Sequence, residues 1–307
     1  MAAANTMYRA LRARLRPVRA AARTVSGAAL AAWTEFRWTR RSKAALHKLP
    51  APLIISLTSH PPRFRTLALT LKCLLTQSVA PDRVVLWLTE EEQRQLPRAI
   101  RRLPGLSIET APPIRSFKKI IPALARYGGA FIAIADDDVF YPHTWLEELL
   151  AGYDPERKEA PCHRAYRMAF DRGSTPAPYA TWRLLDAPDA GEDVFPTGVG
   201  GVLYPPNALD PEARDAASFM ALCPTSDDAW LYWMTRRAGW RFKKIGHRQH
   251  FTCWPGSQTV ALQHDNAGAA ARNDAQIAAL VAHFGFPPAH PPSLSARPAS
   301  SAPREVG

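Results

Sequence analysis

Between residues 50 and 135 the chain alternates short apolar runs with stretches of helical spacing. Residues 53–58 (LIISLT), 84–89 (VVLWLT) and 131–135 (FIAIA) are almost wholly apolar, and 106–109 (LSIE) is a weaker run of the same kind. Runs of this length and composition read as strands buried on both faces. After a loop, SHPPR, the positions Phe64, Leu67, Ala68, Leu71 and Leu75 repeat at helical spacing and end near Gln77. Residues 117–127 (FKKIIPALARY) read as a second helix closed by Gly128-Gly129, with Pro122 leaving its start open. Continuous apolar strands alternating with helices predict an α/β fold: a mostly parallel sheet with helices on both faces, in a single domain over 50–287. Such sheets bind ligands outside the C-terminal ends of their strands.

Composition adjusts this picture at the ends of the chain. Of 307 residues 47% are hydrophobic, which excludes wholesale disorder. No apolar run approaches the roughly 20 residues that span a bilayer. The net charge of +12 is concentrated in residues 1–49, which hold eleven basic residues and one acid, Glu35. The body, 50–287, is nearly neutral, so the basic balance does not argue for nucleic acid, and none is expected as a partner. In residues 8–25, Leu11, Leu15, Val18, Ala22 and Val25 share one helical face and Arg9, Arg12, Arg16, Arg19 and Arg23 the other. Pro17 counts against a continuous helix. Two readings stay open: an amphipathic helix on an anionic membrane surface, or a disordered Arg/Ala arm. No long apolar stretch follows these charges, so the arm does not read as a secretory signal. Residues 288–307, rich in Pro, Ser and Ala, read as a disordered tail. The four cysteines form no CxxC pair, and reduced thiols in a cytoplasmic protein are the expectation.

The candidate chemistry begins at the end of the run 131–135, where Asp136, Asp137 and Asp138 follow one another. Three carboxylates after a buried strand repel one another, and a divalent cation relieves that repulsion. Oxygen-only ligands favour Mg²⁺ or Mn²⁺. The competing reading is a strand-end turn capping the helix at 144–150. A second acidic pair, Asp227 and Asp228, lies in PTSDDAWLYWMTRRAG, in the first turn of a helix that Gly239 stops. These acids either complement the helix dipole or supply a general base. Between the pairs lies PTGVGGVLYPP, whose Gly198, Gly200 and Gly201 allow close backbone approach or form a tight turn. His163 and Arg164 fall in CHRAYRM; Arg164 suits a phosphate or another anionic group, and a Cys162–His163 nucleophile lacks a partner carboxylate. His247, His250 and His264 offer no spacing that selects a metal ligand. Trp182, Trp230, Trp233 and Trp254 suit either a sugar face or the core. Asn273, Asp274 and Gln276 begin a last helix with no evident role.

The runs LIISLTSHPPRF, SFKKIIPALARY, FIAIADDDVFYPHTWLEELL, CHRAYRM, TGVGGVLYPP and PTSDDAWLYW together resemble bacterial glycosyltransferases of the GT-A fold, family two and its relatives, over residues 52–245. The resemblance implies transfer of a sugar from a nucleotide-sugar donor to a glycan or lipid-linked acceptor, with inversion, in building cell-envelope polysaccharide. It places the DxD motif on Asp136–Asp138, with Asp138 as metal ligand, Asp136 facing both metal and ribose, and Asp137 beside the nucleotide-sugar. It places Gly200 and Gly201 around the nucleotide-sugar, and Asp228 or Asp227 as general base. Thr58 at its strand end and Lys118 and Lys119 near their helix start suit the nucleotide too, or are a plain strand-end residue and a solvated helix end. The enzyme would work in the cytoplasm, with the arm holding it to the inner face of the cytoplasmic membrane. A nucleotidyltransferase is the near alternative, disfavoured because SHPPR is no Gly-rich basic loop. A non-enzymatic basic tether or nucleic-acid-binding protein would leave both acidic clusters unexplained.

Overall fold

The structure is a computed structural model and describes residues 16–171, 175–247, 249, 251–257 and 266–287. The first half of the arm reading, residues 8–15, and the tail at 288–307 lie outside the described residues, as do His250 and His264.

The four apolar runs form strands β1 (Leu53–Thr58), β2 (Arg83–Leu88), β3 (Leu106–Thr110) and β4 (Phe131–Ile134). Four shorter strands join them: β5 (Glu159–Cys162), β6 (Asp189–Gly191), β7 (Val202–Tyr204) and β8 (Arg241–Lys244). The spatial order is β6-β8-β5-β7-β4-β1-β2-β3. β1 is parallel to both β2 and β4, β2 to β3, and β5 to β8. β7 runs antiparallel between β4 and β5, and β6 is an antiparallel edge. The architecture is therefore mixed α/β with a large, mostly parallel sheet flanked by helices, compatible with a Rossmann-like fold.

The apolar runs are continuous because both faces are covered. On one face Ile54, Val85, Trp87, Ile132 and Ile134 pack with Phe117, Phe219, Trp230 and Trp233. On the other, Leu53, Ile55, Leu57, Leu86 and Ala133 pack with Leu67, Leu71, Trp145 and Trp254. The four tryptophans offered as sugar platforms, Trp182, Trp230, Trp233 and Trp254, are all buried in these two cores. They carry the sheet rather than a ligand face.

Helix α1 (Arg16–Thr39) begins within the expected arm and continues well past Val25. Pro17 lies in the first described turn of this helix. The C-terminal half is seated on helix α2 (Phe64–Leu75): Thr34 Oγ1 lies 3.5 Å from Cys73 Sγ, and Glu35 pairs with Lys72. Arg37 reaches the carbonyl of Thr76 and Nδ1 of His143. The helix expected over 117–127 is split. Arg115–Lys119 form a 3₁₀ turn, and helix α3 (Ile121–Arg126) starts afresh with Pro122 in its first turn. Downstream lie α4 (Trp145–Gly152), α5 (Asp227–Arg237) and α6 (Asn266–Phe284). α5 is buried without interruption from Ala229 through Arg236, more than two turns, which marks it as a central core helix.

Candidate active site

β1 and β4 are parallel neighbours, but the chain leaves β1 toward β2 and β3 on one side and returns to β4 on the other. A crevice opens at such a reversal, at the C-terminal ends of the strands. The parallel register, with Ser56 beside Ile134, sets Thr58-Ser59 level with Asp136-Asp137 at that end. The loop after β4 is fixed from several sides. Ser59 Oγ donates to Asp137 Oδ2 at 2.5 Å. Thr70 Oγ1, on α2, lies 3.0 Å from the carbonyls of both Asp137 and Val139, and Trp254 Nε1 bonds that hydroxyl at 2.8 Å. Tyr141 OH accepts from the Asp136 N–H at 2.8 Å and donates to the Val199 carbonyl, so the acidic loop and the glycine loop are tied together. Arg63, from SHPPR, pairs with Asp138 and lies 3.4 Å from Asp137.

The two acidic clusters meet. Lys119 Nζ is 2.9 Å from Asp136 Oδ1 and 2.8 Å from Asp227 Oδ2, with its side chain 6% exposed. Burial alone would push its pKa down, but Asp136, Asp227 and Asp228 hold it well above the usual lysine value. Asp227 and Asp228 respond oppositely to the same burial. Lys119 and Ser116 outweigh burial at Asp227 and hold its carboxyl below the usual range. Burial, with repulsion from Asp227 and Asp136, raises Asp228 to about 7, although Lys119 and the Gly198 N–H pull the other way. That N–H donates to Asp228 Oδ1 at 2.9 Å. Asp137 is likewise raised to about 7, first by burial, with Asp138 and Asp136 adding to it.

The glycines divide by what they touch. A Cβ on Gly198 would lie 2.8 Å from Lys119 Nζ and 3.0 Å from Asp228 Oδ1, so this glycine lets the backbone reach the charged cluster. A Cβ on Gly200 would strike Arg164, and one on Gly201 would lie 2.4 Å from the Trp145 ring. Gly200 and Gly201 thus pack against the protein, not against an open pocket. Gly201 also has φ of 89°. Gly201→Ala combines a disfavoured backbone with a buried clash, and is expected to cost about 3 kcal/mol, read as a lowered urea midpoint.

The remaining expected residues also find places. The hydroxyl of Thr58 donates to the Trp87 carbonyl on β2. Lys118 pairs with Glu92 and lies 3.4 Å from the Ser59 carbonyl, beneath the crevice. Cys162 is fully buried, and its thiol is pushed up to about 12 by burial, so a Cys–His nucleophile has no basis. His163 is buried with Nε2 against the Trp145 carbonyl. Asp274 and Gln276 acquire roles. Asp274 Oδ1 accepts from the Tyr179 N–H, and Gln276 Oε1 accepts from the Thr225 N–H just before α5. Sequence reasoning assigned no site role to Ser59, Arg63, Ser116 or Tyr141. Only Ser59 left a trace, as the first residue past β1, level with the triplet past β4.

A divalent cation fits this donor set in one way. Among the described residues no group of three or more His, Cys, Asp and Glu side chains is placed to hold a metal. Asp136 and Asp138 supply hard oxygen donors of the kind Mg²⁺ and Mn²⁺ take. Such ions commonly use one or two carboxylates and complete their shell with substrate phosphates and water. These residues suit a metal that arrives with a phosphate-bearing ligand.

No protein-family model matches this chain, and no curated protein matches it at a significant level.

Proposed function

We propose that the chain is a GT-A glycosyltransferase that moves a sugar from a nucleotide diphosphate to a hydroxyl acceptor, in building a bacterial cell-envelope glycan. The observation that carries this reading is the junction of the two acidic clusters through Lys119 at the strand-order reversal. One cluster, Asp136–Asp138, belongs to the donor, with Ser59, Thr58 and Lys118 around the nucleotide. The other presents Asp228 to the acceptor. Asp228, raised to about 7, takes the proton of the acceptor hydroxyl as it attacks the anomeric carbon from the face opposite the leaving diphosphate. Lys119 stays protonated between the clusters and keeps Asp227 ionised. Mn²⁺ or Mg²⁺, held by Asp138 and Asp136, would stabilise charge on the departing diphosphate. The loop after β1, SHPPR, is not the Gly-rich basic loop a nucleotidyltransferase would use, which favours the glycosyltransferase reading.

The test is a melting-temperature panel of UDP, GDP, CDP and dTDP, each with and without Mn²⁺. One nucleotide is expected to raise Tm only with Mn²⁺, and Asp138→Ala to abolish the shift. Folded protein that ignores all four nucleotides would end this reading.

The outer face of α1 supports peripheral attachment at the inner face of the cytoplasmic membrane. Trp33 and Phe36 are 50% and 46% exposed and stack at 5.7 Å. Arg40 lies over the Phe36 ring and Arg41 over Trp38. Aromatic groups on the helix with Arg40 and Arg41 just past its end suit the headgroup region of anionic lipid. The protein is expected to sediment with phosphatidylglycerol vesicles and not with phosphatidylcholine vesicles. Trp33→Ala/Phe36→Ala should weaken that binding severalfold, read as the bound fraction at fixed lipid.

A further inference from the structure

Arg164 stands apart from the other cations of the site. Arg63, Lys118 and Lys119 each sit on a carboxylate. Arg164 is half-buried, and its described polar partners are two neutral hydroxyls: Thr197 Oγ1 and Tyr166 OH, each accepting at 2.7 Å. No carboxylate lies within 4 Å of it among the described residues. A neighbouring arginine shows the ordinary structural solution. Arg167, in the small sheet that begins just after Arg164 (Ala165–Arg167 with Arg183–Leu184 and Val194–Pro196), is held between Asp189 and Asp193.

The side chain is also held in place. The Arg164 carbonyl accepts from the Thr197 N–H at 3.0 Å, and Gly200 packs so closely that any Cβ there would strike the Arg164 backbone. The guanidinium lies over the Tyr166 ring, 4.9 Å from its centroid. Thr197 adjoins Gly198, whose N–H holds Asp228. Tyr179 packs against the Tyr166 ring, centroid to centroid at 5.6 Å, and its phenol pKa is raised by burial and by Asp228, with Arg164 opposing them. The Asp274 carboxylate fixes the Tyr179 backbone. A fixed planar fork with spare N–H donors and no counter-charge is arranged for an oxyanion, which it can grip with two parallel hydrogen bonds.

We propose that Arg164, with Thr197 and Tyr166, forms an oxyanion subsite beside Asp228, and that the sugar acceptor carries a phosphate or carboxylate which binds there. The subsite follows from the geometry alone; its assignment to the acceptor rests on the transferase reading, in which Asp228 faces the acceptor hydroxyl. The donor diphosphate is assigned to Asp136 and Asp138; Asp136 and Asp228 both border the same face of Gly198, so donor and acceptor groups meet there. A charged acceptor gains both affinity and register from such a contact, because the fork fixes the distance between its anionic group and the hydroxyl at Asp228.

The test uses the full chain and three probes, glucose 6-phosphate, glucuronate and glucose, titrated by saturation-transfer NMR with and without UDP and Mn²⁺, UDP here standing for whichever nucleotide of the panel above raises Tm. The two anionic sugars are expected to bind saturably and glucose far more weakly. Arg164→Gln should weaken the anionic sugars about tenfold or more, with Arg164→Lys intermediate, as for a lost bidentate contact. Thr197→Val, which removes one hydroxyl that orients the fork, should act in the same direction and covers the case in which Arg164→Gln fails to fold. The UDP-dependent rise in Tm should survive Arg164→Gln. Equal binding of glucose and glucuronate, or anion binding unchanged in folded Arg164→Gln, overturns the subsite. Loss of the UDP shift in Arg164→Gln overturns the acceptor assignment and gives Arg164 to the donor diphosphate. Arg164-dependent anion binding in a protein that ignores every nucleotide upholds the subsite and overturns the transferase reading.

Discussion

Asp228→Asn is expected to lower kcat by about 10²–10⁴, the usual range for a lost general base, while leaving nucleotide binding intact. The substitution is close to isosteric. Its amide oxygen can still accept from the Gly198 N–H, which now sits 2.9 Å from Asp228 Oδ1. What disappears is the capacity to take a proton. Asp228 is suited to that task because burial and its acidic neighbours raise it to about 7. A base must be deprotonated to act, so wild-type kcat/KM should fall as pH drops below about 7, approaching tenfold per pH unit. Asp228→Asn should flatten that limb. Asp227 gives the control: it is held ionised by Lys119, and a carboxylate paired in that way is a poor base. Asp227→Asn should therefore preserve the acidic limb even where it lowers the rate. An acidic limb that persists in Asp228→Asn would transfer the role elsewhere, and Asp137, also raised to about 7, would be the next group to substitute.

The first half of the fold was legible because β1, β2 and β4 are buried on both faces and so are apolar at nearly every position, with Ser56, Thr58 and Arg83 the exceptions. The later strands were not. β5 contains Glu159 and Pro161, and β8 reads RFKK, which by pattern is a solvated turn. β5 is buried and β8 half-buried, and their charges find fixed partners. Arg241 Nη2 donates to Glu159 Oε1 at 2.6 Å, and Lys244 Nζ donates to the Gly246 carbonyl at 2.7 Å. Such pairing is a tertiary fact, invisible to any local pattern. The same holds for the site. The acidic triplet announced itself, since three carboxylates past an apolar strand have few structural uses. The distinction between Gly198, against Lys119 and Asp228, and Gly200 and Gly201, against Arg164 and Trp145, depends on which side of one short loop faces the crevice. The link from Gln276 to Thr225 spans 51 residues and carries no periodic signal. Helix α1 outran its expected end because docking on α2, rather than an amphipathic repeat, supports its second half.

Lys119→Met should cost about 3–5 kcal/mol of stability at neutral pH, the penalty for removing one partner of a buried ion pair. The methionine fills a similar volume, so the loss is chiefly electrostatic. It leaves Asp136, Asp227 and Asp228 without their shared cation inside a buried cluster. The pH dependence separates this cause from poor packing. In the wild type, Asp227 titrates below the ordinary carboxylate value, so its contribution is present above that value and is lost only in acid. Without Lys119 the same burial raises Asp227 instead, and Asp228 rises further above about 7. Groups with raised folded-state pKa values stabilise the protein at low pH and lose that contribution as pH rises through the folded value. The wild-type advantage over Lys119→Met should therefore grow from pH 5 to pH 8, read as the difference in urea midpoint. A packing defect would give the same difference at both pH values. The variant should also lose turnover by at least the factor seen in Asp228→Asn, because the ionised Asp227 and the spacing of the two clusters both depend on the one lysine. A Lys119→Met protein that is stable at pH 8 and active would show that the clusters do not work together, and the proposed division into donor and acceptor sides would fall with them.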